Sequence, residues 1–210
     1  MKIIMSLVKI GAIVCVCCAL LACQKTTNND SVTALTEQQK VNLMQQNDQG
    51  VAIDGYSPVS YFERGKAEPG SPQFSAHYNG VTYWLTDSAQ LLAFNANPEK
   101  YAPAHGGWCS LMMSGSGNLT PANPESWKIV NGKLLLFWAG QYKDMQISGL
   151  KNWASKTNNE TDRELKRLAD AEEQWQEIQQ GKNTGLVIFS QKDNERLNAQ
   201  QRAMAKDASQ

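Results

Sequence analysis

Four side chains between positions 105 and 113 carry the chemistry of a soft-metal site or a thiol nucleophile: His105, Cys109, Met112 and Met113. Their spacing is H-x₃-C-x₂-M-M. Imidazole, thiolate and thioether together suit copper(I), which makes a soft ion of the copper type the one cofactor the residues point to. Gly106-Gly107 on one side and Ser114-Gly115-Ser116-Gly117 on the other give the backbone freedom to wrap an ion. The same residues allow a thiol-dependent activity, with Cys109 as the candidate reactive thiol and His105 or His77 as its base. The plain alternative is packing. A free Cys beside Trp108 behaves as a small apolar residue, and Leu111, Met112 and Met113 then simply enter the core. His77 lies beside Tyr78 in a β-prone run and reads as a structural residue on a strand face. The chain shows no Ser-His-Asp pattern, no HExxH and no phosphate-binding glycine loop, so no catalytic residue is assigned. Asp54 and Glu63 have no carboxylate partner at catalytic spacing, and Asp54-Gly55 reads as a turn.

These residues need elements to hold them. Asn79-Gly80 separates Phe74–Tyr78 from Val81–Leu85, and Asn131-Gly132 separates Trp127–Val130 from Lys133–Trp138. Asn-Gly between β-prone runs marks a tight hairpin, because both turn residues need positive φ. A helix is expected over Ser88–Asn95, capped by Asp87, with Leu91, Leu92 and Phe94 on its buried side and Pro98 beyond it. A short helix is expected around Thr36–Met44, a short helix or turn at Pro58–Phe62, and a longer helix over Gln141–Trp153. Thr161 and Glu164 have capping-box spacing. Leu165, Leu168, Ala171, Trp175 and Ile178 then form one apolar stripe, ending near Gly181. The stripe covers barely two heptads, so it predicts docking on the domain and not a coiled coil.

The first 22 residues have the form of an export signal. Lys2 and Lys9 precede an apolar run of 13 residues, Ile10 to Ala22, well short of the roughly 20 that span a bilayer. The run ends Leu20-Leu21-Ala22-Cys23, which resembles the lipobox of bacterial lipoproteins. That resemblance implies lipidation at Cys23 with palmitate-type chains, and Gln24 in the next position implies the outer membrane, facing the periplasm. Removing Lys2 and Lys9 leaves 18 basic against 20 acidic residues, a formal charge of −2. Nucleic-acid binding needs a positive footprint, and none is present. Cys15, Cys17 and Cys18 leave with the signal and Cys23 is acylated, so Cys109 is the one free thiol and no internal disulfide forms.

Several motifs in order resemble the exported, single-domain members of the YHS family. They are Asp54-Gly55-Tyr56-Ser57-Pro58-Val59-Ser60-Tyr61-Phe62, Tyr78-Asn79-Gly80-Val81-Thr82-Tyr83-Trp84, Phe94, Asn97-Pro98-Glu99-Lys100-Tyr101-Ala102-Pro103, Gly106-Gly107-Trp108-Cys109 and Pro124–Leu134. Leu168–Trp175 resembles their C-terminal segment. The resemblance covers about residues 50–180 and implies a small α+β module. Some family members are thought to bind heavy metals through cysteines, which would fall here near Ser60, Thr86 and Gln90; none is Cys, so metal binding does not carry over.

The expected organisation is a signal peptide over 1–22, a polar tether over 23–49, a YHS-like α+β domain with two β-hairpins and flanking helices over 50–156, an amphipathic helix over 157–181, and a polar tail over 182–210. The expected function is a non-enzymatic binding or accessory module, held to a membrane by its lipid anchor. Its partner is an envelope protein or a small ligand. The alternatives are the soft-metal site and the thiol-dependent activity centred on Cys109 with His105.

Overall fold

The computed structural model describes residues 35–183, apart from Lys143. The expected signal sequence, Cys23 and the tail from 184 onward lie outside the described residues. The fold is α+β, with three antiparallel two-stranded hairpins and short flanking helices.

Both Asn-Gly turns close hairpins. Strands β1 (Ser71–Tyr78) and β2 (Val81–Leu85) flank one, and β3 (Asn123–Val130) and β4 (Lys133–Phe137) flank the other. Asn79 and Asn131 take φ of 50° and 49°, as such turns require. A third hairpin, β5 (Ala139–Tyr142) and β6 (Met145–Ser148), stands where the periodicity predicts the start of a helix. The helix begins only at Gly149, because the Ser148 hydroxyl accepts from the Lys151 amide and caps it there.

Seven α-helices are present among the described residues. Helix α1 (Glu37–Asn42) carries a full capping box from Thr36 and Gln39. Helices α2 (Pro58–Glu63), α3 (Ser88–Ala96) and α4 (Pro98–Tyr101) follow, with the Asp87 cap on α3 as expected. Leu92 corrects the expected face of α3: it is 72% exposed, whereas Gln90 and Phe94 are buried. At 100° per residue, positions 90 and 94 share a face and 92 points away. Helix α5 (Ser110–Ser116), α6 (Gly149–Thr157) and α7 (Thr161–Gln179) complete the set. Glu160, not Thr161, is the N-cap of α7 and makes no side-chain cap bond. Glu164 turns inward instead. Its carboxylate accepts from the Trp153 indole at 3.1 Å and pairs with Lys128, which ties α7 to α6 and β3.

Strand β4 is the wall on which the core is built. Leu134 and Leu136 face one apolar cluster with Val59, Tyr61, Tyr83 and Phe94. Leu135 and Phe137 face another with Cys109, Trp153 and Leu168. Successive strand residues alternate faces, so an unbroken apolar run is what two covered faces demand. A third cluster joins Trp108, Met113 and Leu119 to Ala171 and Ile178 of α7. Helix α7 therefore docks through its predicted stripe, with Leu165 at its exposed margin.

The expected tether also needs correction. Residues from Thr36 to Gln49 belong to the fold: Trp108 donates its indole N–H to Leu43 O at 2.6 Å, and the Gln45 amide donates to Gly106 O at 2.9 Å. The buried Gln45 side chain also accepts from the Ala122 amide at 3.0 Å. The stretch looks like tether because its apolar residues are few, yet Val41, Leu43 and Met44 pack against the core beside these polar bonds.

Candidate functional site

The segment from Pro103 to Cys109 runs beside β4, with parallel bridges Pro103–Leu134 and Cys109–Leu136 at its ends. Between them the backbone makes a tight turn, Ala104–Gly107, in which three successive residues are left-handed: His105 at φ 54°, Gly106 at 63° and Gly107 at 88°. That region costs a residue with a Cβ about 1–2 kcal/mol, so His105 is held there by its surroundings. Gly106 has no such cost but has no room either. A Cβ on it would lie 2.7 Å from the Trp175 ring, so the indole of α7 seats on bare backbone.

His105 is 3% exposed. Its Nδ1 is 3.1 Å from the hydroxyl of Ser110, which is fully buried at the start of α5. Its Nε2 has no hydrogen-bond partner among the described residues. Burial, and secondarily the positive charge of Lys133, pushes the imidazole down to about 4, so it is neutral at physiological pH.

His105 forms part of the wall of an open cleft of about 400 Å³. The polar lining comes from four further places in the chain: Asn79 at the first hairpin turn, Glu99 on α4, Lys133 at the start of β4, and Glu172, Gln176 and Gln179 on α7. Tyr78 and Trp175 supply aromatic surface. Helix positions 172, 175, 176 and 179 fall on one face. The helix that buries one stripe in the core thus offers a second stripe to the cleft. Reasoning along the sequence finds His105 but misses Lys133, Glu99 and Glu172, which no local motif marks. The spacing Glu172-x₂-Trp175-Gln176-x₂-Gln179 is the one signal that points to Glu172, and nothing local points to Lys133 or Glu99.

The other residues expected to do chemistry lie elsewhere. Cys109 is 1% exposed and packs in the cluster of Leu135, Phe137 and Trp153, with Met112 against its edge. Burial raises its pKa, although the backbone around Trp138, Met112 and Leu111 partly offsets this. A thiol so placed is poorly ionised, unlike the exposed, electropositive setting of a reactive cysteine. Met113 is fully buried in the separate cluster with Trp108. The His105, Cys109, Met112 and Met113 set is therefore divided between two apolar clusters and the cleft wall. Among the described residues no group of three His, Cys, Asp or Glu side chains is placed to hold a metal ion. His77 is exposed on β1, its Nδ1 3.2 Å from the Thr82 hydroxyl across the hairpin.

Ser60, Thr86 and Gln90 do come together, from three different elements. The buried Gln90 side chain accepts from the Ser57 hydroxyl at 2.6 Å and from the Thr86 amide at 3.3 Å, and donates to the Ser60 hydroxyl at 3.0 Å. Ser60 in turn donates to Glu68 at 2.9 Å. Hydroxyl and amide groups that already satisfy one another are poor ligands for a soft metal, so these residues do not fit a metal of the kind bound by cysteines. No helix among the described residues is long and apolar enough to cross a membrane. Comparison of the chain with protein-family models, with curated proteins and with solved structures finds no match.

Proposed function

We propose that this protein is a lipid-anchored envelope module that binds a small polar ligand in the His105 cleft and does no chemistry on it. The observation that carries the reading is the buried imidazole at the cleft wall with one ring nitrogen unpaired. Polar side chains buried to this degree almost always have a partner, so an unpaired ring nitrogen on a residue that lines a cleft supports reading the cleft as a ligand site. The nearest thiol packs in the core with a raised pKa, which removes the nucleophile a thiol-dependent reaction would need.

Membership of the YHS family is part of the same proposal. Its support is that the buried Gln90 side chain is bonded both by Ser60, 30 positions before it, and by the nearby Thr86 amide. That is the convergence a shared ligand set would need, with its cysteines exchanged for a self-satisfied polar cluster. The anchor is proposed on the residues at 20–23, and Gln24 supports placement at the outer membrane, facing the periplasm.

Two measurements test the proposal. Native mass spectrometry of the mature protein, released gently from host membranes, is expected to show a small-molecule adduct that Trp175→Ala abolishes. No adduct, together with no melting shift across a panel of polar metabolites, refutes binding. Intact-mass analysis is expected to find Cys23 as an acylated N-terminus, and an unmodified Cys23 refutes the anchor.

A further inference from the structure

The hydrogen-bond accounting around His105 narrows the chemistry of the ligand. Ser110 is fully buried, and His105 Nδ1 is its hydroxyl's one hydrogen-bond partner among the described residues. We assign the bond as Ser110 donating to Nδ1, because that arrangement leaves no buried hydroxyl hydrogen unpaired. Nδ1 is then the acceptor nitrogen of a neutral imidazole, and the proton sits on Nε2. The unpaired ring nitrogen of this cleft-lining residue is therefore a donor. It calls for an acceptor from the ligand.

The charged lining of the cleft is one ammonium, Lys133, and two carboxylates, Glu99 and Glu172. Lys133 forms no ion pair among the described residues, and it is near enough to His105 for its charge to disfavour the imidazolium. A donor N–H and an unneutralised ammonium together favour an anionic oxygen. Glu99 and Glu172 are also outside every ion pair of the described residues, and with Gln176 and Gln179 they offer acceptors for hydroxyl groups. Trp175, half-buried, offers an apolar face of the kind that stacks on a sugar ring.

We infer that the cleft takes a small hydroxylated acid, a sugar acid or sugar phosphate, whose anionic oxygen accepts from His105 Nε2–H with Lys133 as its counter-charge. This rests on the reading of the cleft as a binding site. The ligand's hydroxyls donate to Glu172 and Glu99, and Lys133 is the one ammonium of the lining that its acid group can meet. The cleft volume of about 400 Å³ suits one sugar ring. Nε2 is covered in the free protein, so the wall must move to admit the ligand.

The test uses three probes that differ at one carbon: glucose, glucuronate and glucose 6-phosphate. Each is titrated calorimetrically into the mature protein at low and high salt. One or both acids are expected to bind at least about tenfold more tightly than glucose, with the advantage shrinking at high salt. Preference for glucuronate or for the phosphate identifies the acid group. Lys133→Gln is expected to remove the advantage of the acid without changing the melting temperature by more than a few degrees. Acid binding with unchanged affinity in Lys133→Gln, or glucose binding as tightly as the acids, overturns the anion assignment and leaves a binding cleft in place. No heat with any probe overturns the sugar-acid class. The binding proposal itself then stands or falls on the adduct seen by native mass spectrometry.

Discussion

His105 makes the stability of this domain depend on pH in a window where few other groups titrate. The imidazole has an ordinary pKa near 6.5, and in the folded protein burial, aided by Lys133, lowers it to about 4. A lowered value for a base means that the unfolded chain binds the extra proton first. Stability is therefore fully present above pH 6.5 and is lost as the pH falls from there toward 4. The full swing corresponds to about 3 kcal/mol, of which about 2 kcal/mol is lost between pH 7 and pH 5. Glu68 and Asp87, held down to about 2, shed their contributions from the ordinary carboxylate range downward, below the pH 7 to 5 interval. Urea unfolding of the mature protein at pH 7, 6 and 5 measures the effect directly. The control is His105→Asn, since Asn tolerates left-handed backbone and does not titrate. This variant is expected to be less stable overall but to lose the pH slope. Equal slopes in both proteins, or a flat response in the parent, would refute the assignment of a neutral, buried imidazole.

Other consequences of the packing can be measured as readily. Cys109 is expected to react slowly with iodoacetamide in the native state and quickly in urea; fast native alkylation would restore the thiol reading. Copper(I) loaded under reducing conditions is expected to wash out on desalting, whereas stoichiometric retention lost in Cys109→Ser would favour the soft-metal alternative. Gly106→Ala and Gly132→Ala both place a Cβ at positive φ, but only at 106 does that Cβ meet a neighbour, the Trp175 ring at 2.7 Å. Gly132→Ala is expected to cost about 1 kcal/mol and Gly106→Ala about 2–4 kcal/mol by urea titration, and equal losses would mean that Trp175 does not seat there. Glu164→Leu leaves the Trp153 N–H and the Lys128 ammonium without their acceptor and is expected to cost about 2–3 kcal/mol; a loss below about 0.5 kcal/mol would show that this clamp does not hold α7.

The uneven legibility of the fold follows from which interactions are local. Asn79-Gly80, Asn131-Gly132 and the Asp87 cap are readable because a turn or a cap is decided by the two to four residues that form it. The third hairpin has no Asn-Gly at its tip, and Gln141–Ile147 alternates too weakly to distinguish a strand from a helix, so only the pairing of Gly140 with Ile147 across the turn settles it. Thr161 loses the cap to Glu160 because Glu164 is drawn to Trp153 and Lys128, which no window around 161 contains.

The site divides in the same way. His105 is visible as a histidine in a glycine turn, and sequence proximity then groups it with Cys109, Met112 and Met113. Distance along a chain is a poor guide once the backbone turns through three left-handed residues. The turn leaves the ring of His105 at the cleft wall and Cys109 in the core, four residues on. Its effective neighbours are Lys133, 28 positions downstream, and a face of α7 nearly 70 positions away. That face could be read only by asking what the second stripe of an amphipathic helix is for. Glu172, Gln176 and Gln179 look like an ordinary solvated surface, and Trp175 like one more residue of the apolar stripe, until the helix docks, and docking is fixed by Leu168, Ala171 and Ile178. The cleft is thus a by-product of where the core stripe seats. A substitution that rotates or undocks α7 should abolish ligand binding even though it touches no residue of the cleft.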